Sequence, residues 1–341
     1  MMTECPRVAP SFYLNIGSSV VSAVKIFESP DSKGQPPSII SGDVGGNIKS
    51  WNSHTQRAEQ TLTDHADNDQ SAAVLWLDTF SDEDGSSYLV VQRRFSIFVS
   101  TFKYNRSSPP HSRWVLATHL TLSLVETHNA FCSGDVMYPY LVAPQGEKTM
   151  VLAQFDNNSC NKAASLATEP TKGNLTALRL GSNHSNVLLF AGFEGGNIDL
   201  LQFNSPSLEV LHTVKLDQAI EAPSILSIDY DCLRQRGIAS TSEDFIISLD
   251  LEGNVCKKRE LPSKGVSQIR IRKSDSKLAV GACWDSTLRI FSWLKPEKLK
   301  PLGALRFHQE GLTCVDCSSS AGWLACGSKD GKLSVWKGLY T

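Results

Sequence analysis

The chain has 341 residues, a formal net charge of −2, 41% hydrophobic residues and 20% charged residues. This composition excludes a disordered chain, and the near-neutral charge excludes a wholly basic nucleic-acid binder. The apolar run at residues 187–193 is far shorter than the roughly 20 residues that cross a bilayer. Residues 1–10 contain Glu4 and Pro6 rather than the apolar core of a signal peptide, so we expect a soluble intracellular protein that does not bind membranes.

The first predicted unit consists of four short strands. Residues 20–27 alternate between apolar and polar side chains, and residues 38–41, 47–51 and 58–62 follow after turns that are rich in glycine, proline or polar residues. Alternation with a period of two, interrupted by a turn every eight to twelve residues or so, is typical of an all-β protein. We therefore predict an antiparallel sheet over residues 20–62.

This unit recurs along the chain. The pattern Gly-x-x-Gly-Gly-Asn-Ile stands at residues 42–48 and again at 192–198, and a similar strand–turn–strand stands at residues 325–336. Looser copies occur at residues 89–102, 141–155, 236–249 and 278–291. The copies are roughly 42–53 residues apart, which brackets the length of the repeat in propellers built from four-stranded blades.

Seven such units account for almost the whole chain, so we predict a single all-β domain, a seven-bladed β-propeller. The predicted blades cover approximately residues 20–62, 72–120, 129–169, 174–216, 224–261, 265–307 and 311–338. Residues 103–113 and 156–173 are interpreted as inserts, and residues 208–216 as a strand. Too few residues follow 338 to form a fourth strand, so we expect residues 12–18 to complete the last blade and close the ring, covering its open edge.

The last blade resembles a WD40 repeat. Phe307-His308 precedes a strand, and Gly327-Ser328-Lys329-Asp330 leads into Leu333-Ser334-Val335-Trp336. The resemblance implies a hydrogen-bonded network that joins a loop His, a strand Ser, a turn Asp and a strand Trp. In this sequence its members are His308, Ser328, Asp330 and Trp336. Such a network stabilises the blade and performs no chemistry.

Three segments after residue 224 resemble one family within the WD40 proteins. They are residues 236–238, residues 282–293 with Trp284-Asp285, and residues 327–340. They are similar to the guanine nucleotide-binding protein beta-subunit-like proteins, which are related to the fungal ASTRA-associated WD protein. The resemblance implies a non-catalytic scaffold of the cytoplasm and nucleus. It would act with the telomere-maintenance co-chaperone complex in the maturation of phosphatidylinositol-3-kinase-related kinases, as a monomer within a larger complex.

Two other functions fit a propeller. A G-protein β subunit needs an N-terminal coiled-coil helix, but Pro6 and Pro10 interrupt the first residues and heptads are absent from the sequence. Substrate receptors of ubiquitin ligases often carry Trp-Asp-x-Arg, whereas Trp284-Asp285 is followed by Ser286-Thr287. The scaffold interpretation is therefore favoured over both.

The sequence gives no motif for catalysis, for a metal or for a cofactor. The glycines at 192–196 lack the Lys-Ser/Thr end of a phosphate-binding loop. Cys314 and Cys317 would point to opposite faces of a strand, so one zinc ion could not collect both. We expect protein partners and no enzymatic activity.

Charge is distributed unevenly, and this suggests a surface for protein partners. Residues 58–86 contain eight acidic and no basic side chains, whereas residues 257–306 contain thirteen basic and four acidic ones. We expect the basic arc to attract an acidic protein surface, with Lys257, Lys258, Arg259, Trp284 and Asp285 as candidate contacts. The arc lacks interleaved aromatic residues, which does not favour nucleic acid. A solvated surface that only maintains solubility is the alternative.

Overall fold

A computed structural model describes residues 9–29, 36–63, 72–126, 131–156, 159–216, 222–320 and 322–339. In these residues, 29 strands form seven antiparallel sheets. The helical segments of this described part of the chain are three 3₁₀ turns, Pro110–Ser112, Thr118–Leu120 and Pro170–Lys172. No helix among the described residues is long and apolar enough to span a membrane. The sheets follow one another around a ring, and the fold is a seven-bladed β-propeller.

The strands of the first half of the ring begin after β1 (Phe12–Asn15), which belongs to the last blade. Blade 1 contains β2 (Val21–Phe27), β3 (Ser38–Asp43), β4 (Ile48–Asn52) and β5 (Arg57–Leu62). Blade 2 contains β6 (Val74–Ser81), β7 (Ser87–Arg93), β8 (Phe98–Tyr104), β9 (Trp114–Leu116) and β10 (Leu122–Ser123). Blade 3 contains β11 (Asp135–Met137), β12 (Tyr140–Gln145), β13 (Thr149–Phe155) and β14 (Cys160–Ala167).

The second half of the ring is more regular. Blade 4 contains β15 (Leu175–Asn183), β16 (Asn186–Phe193), β17 (Asn197–Asn204) and β18 (Ser207–Lys215). Blade 5 contains β19 (Ile225–Asp231), β20 (Arg236–Thr241), β21 (Phe245–Leu249) and β22 (Val255–Glu260). Blade 6 contains β23 (Val266–Ile271), β24 (Leu278–Cys283), β25 (Thr287–Ser292) and β26 (Pro301–Arg306). Blade 7 contains β27 (Leu312–Cys317), β28 (Trp323–Ser328) and β29 (Lys332–Lys337), completed by β1.

The ring closes through the N-terminal strand. β1 pairs antiparallel with β29, with Phe12 opposite Val335 and Leu14 opposite Leu333. Phe12 and Leu14 are buried in a cluster that blade 7 shares with blade 1. The predicted fold class, including closure by the N-terminal strand, is therefore confirmed.

The repeated glycine of the second strands has a packing cause. Gly42, Gly192 and Gly327 each lie against the first residue of the next blade, and a Cβ at any of them would collide with that residue's side chain. The neighbours are Val74 for Gly42, Ile225 for Gly192 and Val21 for Gly327. The sequence pattern that revealed the repeats thus marks the closest approach between successive blades, where only glycine fits.

The two predicted inserts differ in structure. In the segment at 103–113, residues 103 and 104 end β8, and the remainder contains a 3₁₀ turn and separates β8 from two short outer strands, β9 and β10, that both pair with β8. The segment at 156–173 is not simply an insert, because it contains β14, the outer strand of blade 3. An outer strand has little apolar surface to bury, so its polar composition concealed it. The predicted strand at 208–216 is confirmed as β18.

The ring has two faces that differ in their connections. The turns between second and third strands lie on one face with the links between blades, as shown by the hydrogen bonds from Ile16 N to Gly331 O and from Gly265 N to Glu243 O. We call this the linker face. The turns between first and second strands and between third and fourth strands lie on the other face, which we call the turn face.

Candidate functional site

Each blade contributes one charged side chain to the central channel. In six blades it is the fifth residue of the innermost strand, and in blade 3 it is Asp135, the first residue of β11. In ring order the seven residues are Lys25, Asp78, Asp135, Arg179, Asp229, Arg270 and Asp316. The sign of the charge alternates around the ring except between Asp78 and Asp135.

Two cations of the ring bridge the carboxylates on either side. Lys25 Nζ lies 2.7 Å from Asp78 and 3.6 Å from Asp316. Arg179 lies 2.9 Å from Asp135 and 2.7 Å from Asp229, and all three side chains are at most 5% exposed. Burial lowers the pKa of Lys25, but the carboxylates of Asp316 and Asp78 outweigh burial, so the pKa is raised and the side chain is charged.

Three of the carboxylates also bind the backbone of the next blade. Asp316 accepts the N–H of Ile26 at 2.8 Å, Asp135 that of Leu180 at 2.8 Å, and Asp229 that of Ile271 at 2.6 Å. In each case the donor directly follows the cation of the neighbouring blade. Each of these carboxylates therefore satisfies a backbone donor of the next blade, which helps to fix the register between blades.

Blade 2 breaks this pattern, because the next blade presents Asp135 instead of a cation. A second cation from blade 6, Lys273, reaches this part of the channel. The Arg179 guanidinium lowers the pKa of Lys273, although Asp78 and Asp229 act in the opposite direction. Burial raises the pKa of Asp135 more than Arg179 lowers it. The channel thus contains four cations and four carboxylates.

The channel widens towards the turn face into a cavity of about 260 Å³. Its charged lining includes Lys25, Asp78, Arg179, Asp229 and Lys273. A cavity of this volume and polarity holds several water molecules. Lys25 and Arg179 pair with carboxylates of the neighbouring blades, so these charges join the blades to one another. Among the described residues, no group of three or more His, Cys, Asp or Glu side chains could hold a metal ion.

The predicted polar network of blade 7 is present in part. His308 Nδ1 lies 3.0 Å from Asp330 Oδ2, and His308 Nε2 lies 2.6 Å from Ser334 Oγ. Burial lowers the pKa of His308 more than Asp330 raises it. The imidazole is therefore neutral, so Nδ1–H donates to Asp330 and Nε2 accepts from the Ser334 hydroxyl. Ser328 supports Asp330, because its Oγ accepts the Asp330 N–H at 3.2 Å.

The sequence predicts that Trp336 belongs to this network, but in the structure Trp336 does not join it. Its Nε1 is buried without a hydrogen-bond partner, and the ring packs among apolar side chains of blades 6 and 7. Blade 1 shows the cause, since Trp51 Nε1 donates to Ser41 Oγ at 2.8 Å. Ser41 stands ten positions before Trp51, and the residue ten positions before Trp336 is Cys326. Cys326 therefore has a thiol where Ser41 has the hydroxyl that accepts from the tryptophan, and Trp336 Nε1 has no acceptor. His308 binds Ser334 in blade 7.

Two of the predicted partner contacts lie on the linker face. Trp284 is 48% exposed, and its ring covers Gly265, whose carbonyl accepts the Trp284 N–H at 3.0 Å. Asp285 forms two hydrogen bonds with Arg289, at 2.8 and 2.7 Å. Burial raises the pKa of Asp285, but the hydrogen bonds from Arg289 outweigh it and lower the pKa to about 2. Trp284 is thus accessible, whereas Asp285 is engaged within its own blade.

The predicted basic triplet lies on β22, the outer strand of blade 5. Lys258 is exposed, with its Nζ 3.9 Å from the centre of the Phe245 ring, and Lys257 is partly buried. Arg259 donates to the carbonyl oxygens of Leu299 and Lys298, both at 3.1 Å. Arg259 therefore holds a loop of blade 6 in place. None of these contacts joins the triplet to Trp284.

Sequence reasoning missed the charged ring and several exposed residues. The ring carried a signal, because aligning the innermost strands puts a charged residue at the same position of six blades. On the turn face, Leu233 is 82% exposed and Leu294 is 55% exposed, and the loop at 294–300 exposes three lysines. These isolated apolar residues had no sequence signal.

Comparisons with known proteins agree with the fold. The sequence model of the WD40 family, described as WD domain, G-beta repeat, matches residues 299–337, from the end of blade 6 through blade 7. Blade 7 thus carries a WD40 repeat. Guanine nucleotide-binding protein subunit beta-like protein 1 of Mus musculus is 25% identical over 343 residues, which covers 97% of this chain and 96% of the mouse protein.

Two fungal proteins named ASTRA-associated protein 1 are similar over part of this propeller. The protein of Schizosaccharomyces pombe (strain 972 / ATCC 24843) is 30% identical over 172 residues, or 44% of each chain. That of Schizosaccharomyces japonicus (strain yFS275 / FY16936) is 23% identical over 201 residues, or 53% of each chain. The resemblance to beta-subunit-like and ASTRA-associated proteins that the sequence indicated is thus confirmed.

Proposed function

We propose that this WD40 propeller is a non-catalytic scaffold that works with the telomere-maintenance co-chaperone complex in the maturation of phosphatidylinositol-3-kinase-related kinases. The observation that carries the proposal is the similarity to the mouse beta-like protein over 97% of the chain, together with the partial similarity to proteins named for association with ASTRA. We further propose that the protein acts in the cytoplasm and nucleus, as a monomer within a larger complex.

The charged channel supports a scaffold rather than an enzyme. Lys25 pairs with Asp78 and Asp316, Arg179 pairs with Asp135 and Asp229, and these pairs join neighbouring blades. A general acid or base needs a pKa near the working pH and access to substrate. Lys25, with a raised pKa and two carboxylate partners, does not meet the first condition. We therefore infer that the exposed surface of the ring carries the function, and that this function is the binding of other proteins.

The proposal is tested by binding and by depletion. The purified full chain is mixed with the purified co-chaperone complex and followed by size-exclusion chromatography, where we expect co-elution. In cells, depletion of the chain should lower the steady-state level of the kinases, and expression of the intact chain should restore it. Co-elution with a ubiquitin-ligase adaptor, or with a G-protein γ subunit, in place of the co-chaperone complex would overturn the proposal.

A further inference from the structure

Two leucines stand out on the turn face of blades 5 and 6. Leu233 lies in the turn between β19 and β20 and is 82% exposed, and Leu294 follows β25 and is 55% exposed. Single exposed apolar residues are common on protein surfaces. These two differ because they belong to one continuous surface that is also rich in cations.

Hydrogen bonds between the two blades make the surface continuous. Arg234, next to Leu233, donates through Nε to Ser276 O at 3.1 Å. The adjoining residue Lys277 accepts the N–H of Trp293 at 2.7 Å, and Leu294 follows directly. Trp293 Nε1 also donates to Asp231 Oδ2 at 2.8 Å, at the start of the turn that contains Leu233. The turn of blade 5 and the two turns of blade 6 are therefore held together.

The loop at 294–300, which we call the lysine loop, is held rigidly. Ser248 donates to Pro296 O at 2.8 Å, and Arg259 donates to the carbonyls of Lys298 and Leu299. Leu299 has a φ of 40°, in the left-handed region, and its side chain is fully buried. This strained conformation persists because the surrounding contacts determine it. The backbone that carries its exposed side chains is thus ordered before binding, which lowers the entropic cost of association.

The charges on this surface favour an acidic partner. Arg234, Lys277, Lys295 and Lys298 are cationic, and Lys277 reaches its nearest carboxylate, Asp275, only at 3.9 Å. Asp275 itself is bound at 2.6 Å by Arg272. Asp231 is only 3% exposed at its side chain. Glu297 is the exposed acid of the lysine loop.

We propose that Leu233, Arg234, Lys277, Leu294, Lys295 and Lys298 form a docking surface for an acidic protein segment that carries apolar side chains. The leucines bury apolar area of the segment, and the cations set its orientation and raise its association rate. The proposal rests on the proposed scaffold function and names the surface through which it operates. Neither leucine can stack on a base as an aromatic residue would, which favours protein over single-stranded nucleic acid.

The probe is a fluorescent synthetic peptide of Glu, Asp, Leu and Phe, compared with a counterpart in which Gln and Asn replace the acids. At low salt we expect the acidic peptide to bind at least about tenfold more tightly, and added salt to slow its association. L233S/L294S should weaken binding about tenfold or more, and K295S/K298S should slow association. V210S/L211S, which removes two exposed apolar side chains from β18 of blade 4, is the matched control and should bind like wild type.

The outcomes separate this inference from the scaffold proposal. Equal peptide binding by wild type and L233S/L294S would overturn the surface, and so would preferential binding of duplex DNA or of vesicles with anionic lipid. Concentration-dependent self-association that L233S/L294S abolishes would assign the surface to a second copy of the chain and also overturn it. If the surface variants lose the peptide and the co-chaperone complex together, both proposals stand. If wild type binds the peptide but not the complex, the scaffold proposal fails while the surface remains.

Discussion

Replacement of Arg179 by methionine tests whether the charged ring holds the blades together. Arg179 bridges Asp135 and Asp229, and the three side chains are 5%, 3% and 1% exposed. Methionine keeps much of the apolar volume and removes the charge. Removing one partner of a buried ion pair costs about 3–5 kcal/mol, and two carboxylates lose their cation here, so we expect a loss near 5 kcal/mol.

The pH dependence of this loss distinguishes electrostatics from packing. Burial already raises the pKa of Asp135, and loss of the guanidinium would raise it further. A carboxyl group whose folded-state pKa is raised binds more protons when folded, so the stability of the variant falls as pH rises. The deficit relative to wild type should therefore be smaller at pH 5 than at pH 8.

The assay is urea unfolding followed by tryptophan fluorescence at both pH values. The matched control is Lys264→Met, which removes a cation from an exposed pair with Glu243, where the lysine side chain is 68% exposed. Exposed pairs contribute about 0–1 kcal/mol, so this variant should behave nearly like wild type. A deficit for Arg179→Met no larger than that of the control, or one that grows as pH falls, would refute the reasoning.

Three further predictions concern closure and the polar network. Deletion of residues 1–18 removes β1 and exposes the edge of blade 7, so we expect little soluble protein; a soluble truncation that melts cooperatively would contradict closure. Asp330→Ala leaves the buried His308 Nδ1–H without its acceptor and should lower the free energy of unfolding by about 1–3 kcal/mol in a denaturant titration, whereas an unchanged midpoint with lost partner binding would make Asp330 a contact residue. Trp336→Phe removes no hydrogen bond at Nε1, whereas Trp51→Phe removes one that contributes about 1 kcal/mol. In the same titration we therefore expect only Trp51→Phe to lower the free energy of unfolding through a lost hydrogen bond.

The strands and their closure could be predicted because their causes are local. Alternation over β18 and the glycine at 42, 192 and 327 follow from the pleat of a strand and from the approach of the next blade. The segment that contains β14 was interpreted as an insert because the outer strand of a blade buries only a few side chains, such as Ala164. Polarity alone therefore does not distinguish an outer strand from an insert.

The candidate site was harder to predict because its partners are distant in the chain. Asp135 and Arg179 lie 44 positions apart, and Asp316 meets Ile26 across 290 positions. Such pairs follow from ring closure and from the register of the innermost strands, not from a local motif. In blade 7 the motif contains His308 and Asp330, which are hydrogen-bonded, but it does not indicate that His308 binds Ser334 or that Cys326 leaves Trp336 without an acceptor.

Charge counted along the chain differs from charge presented by the fold. The thirteen cations of residues 257–306 form one arc in the sequence, but the structure divides them among different neighbours. Arg289 binds Asp285, Arg272 binds Asp275, and Arg259 binds the carbonyls of the lysine loop. Replacing Lys257, Lys258 and Arg259 together would therefore also release that loop. Substitution of Lys295 and Lys298 changes the charge of the docking surface but keeps the hydrogen bonds by which Ser248 and Arg259 hold the lysine loop. It therefore isolates the electrostatic contribution to partner binding.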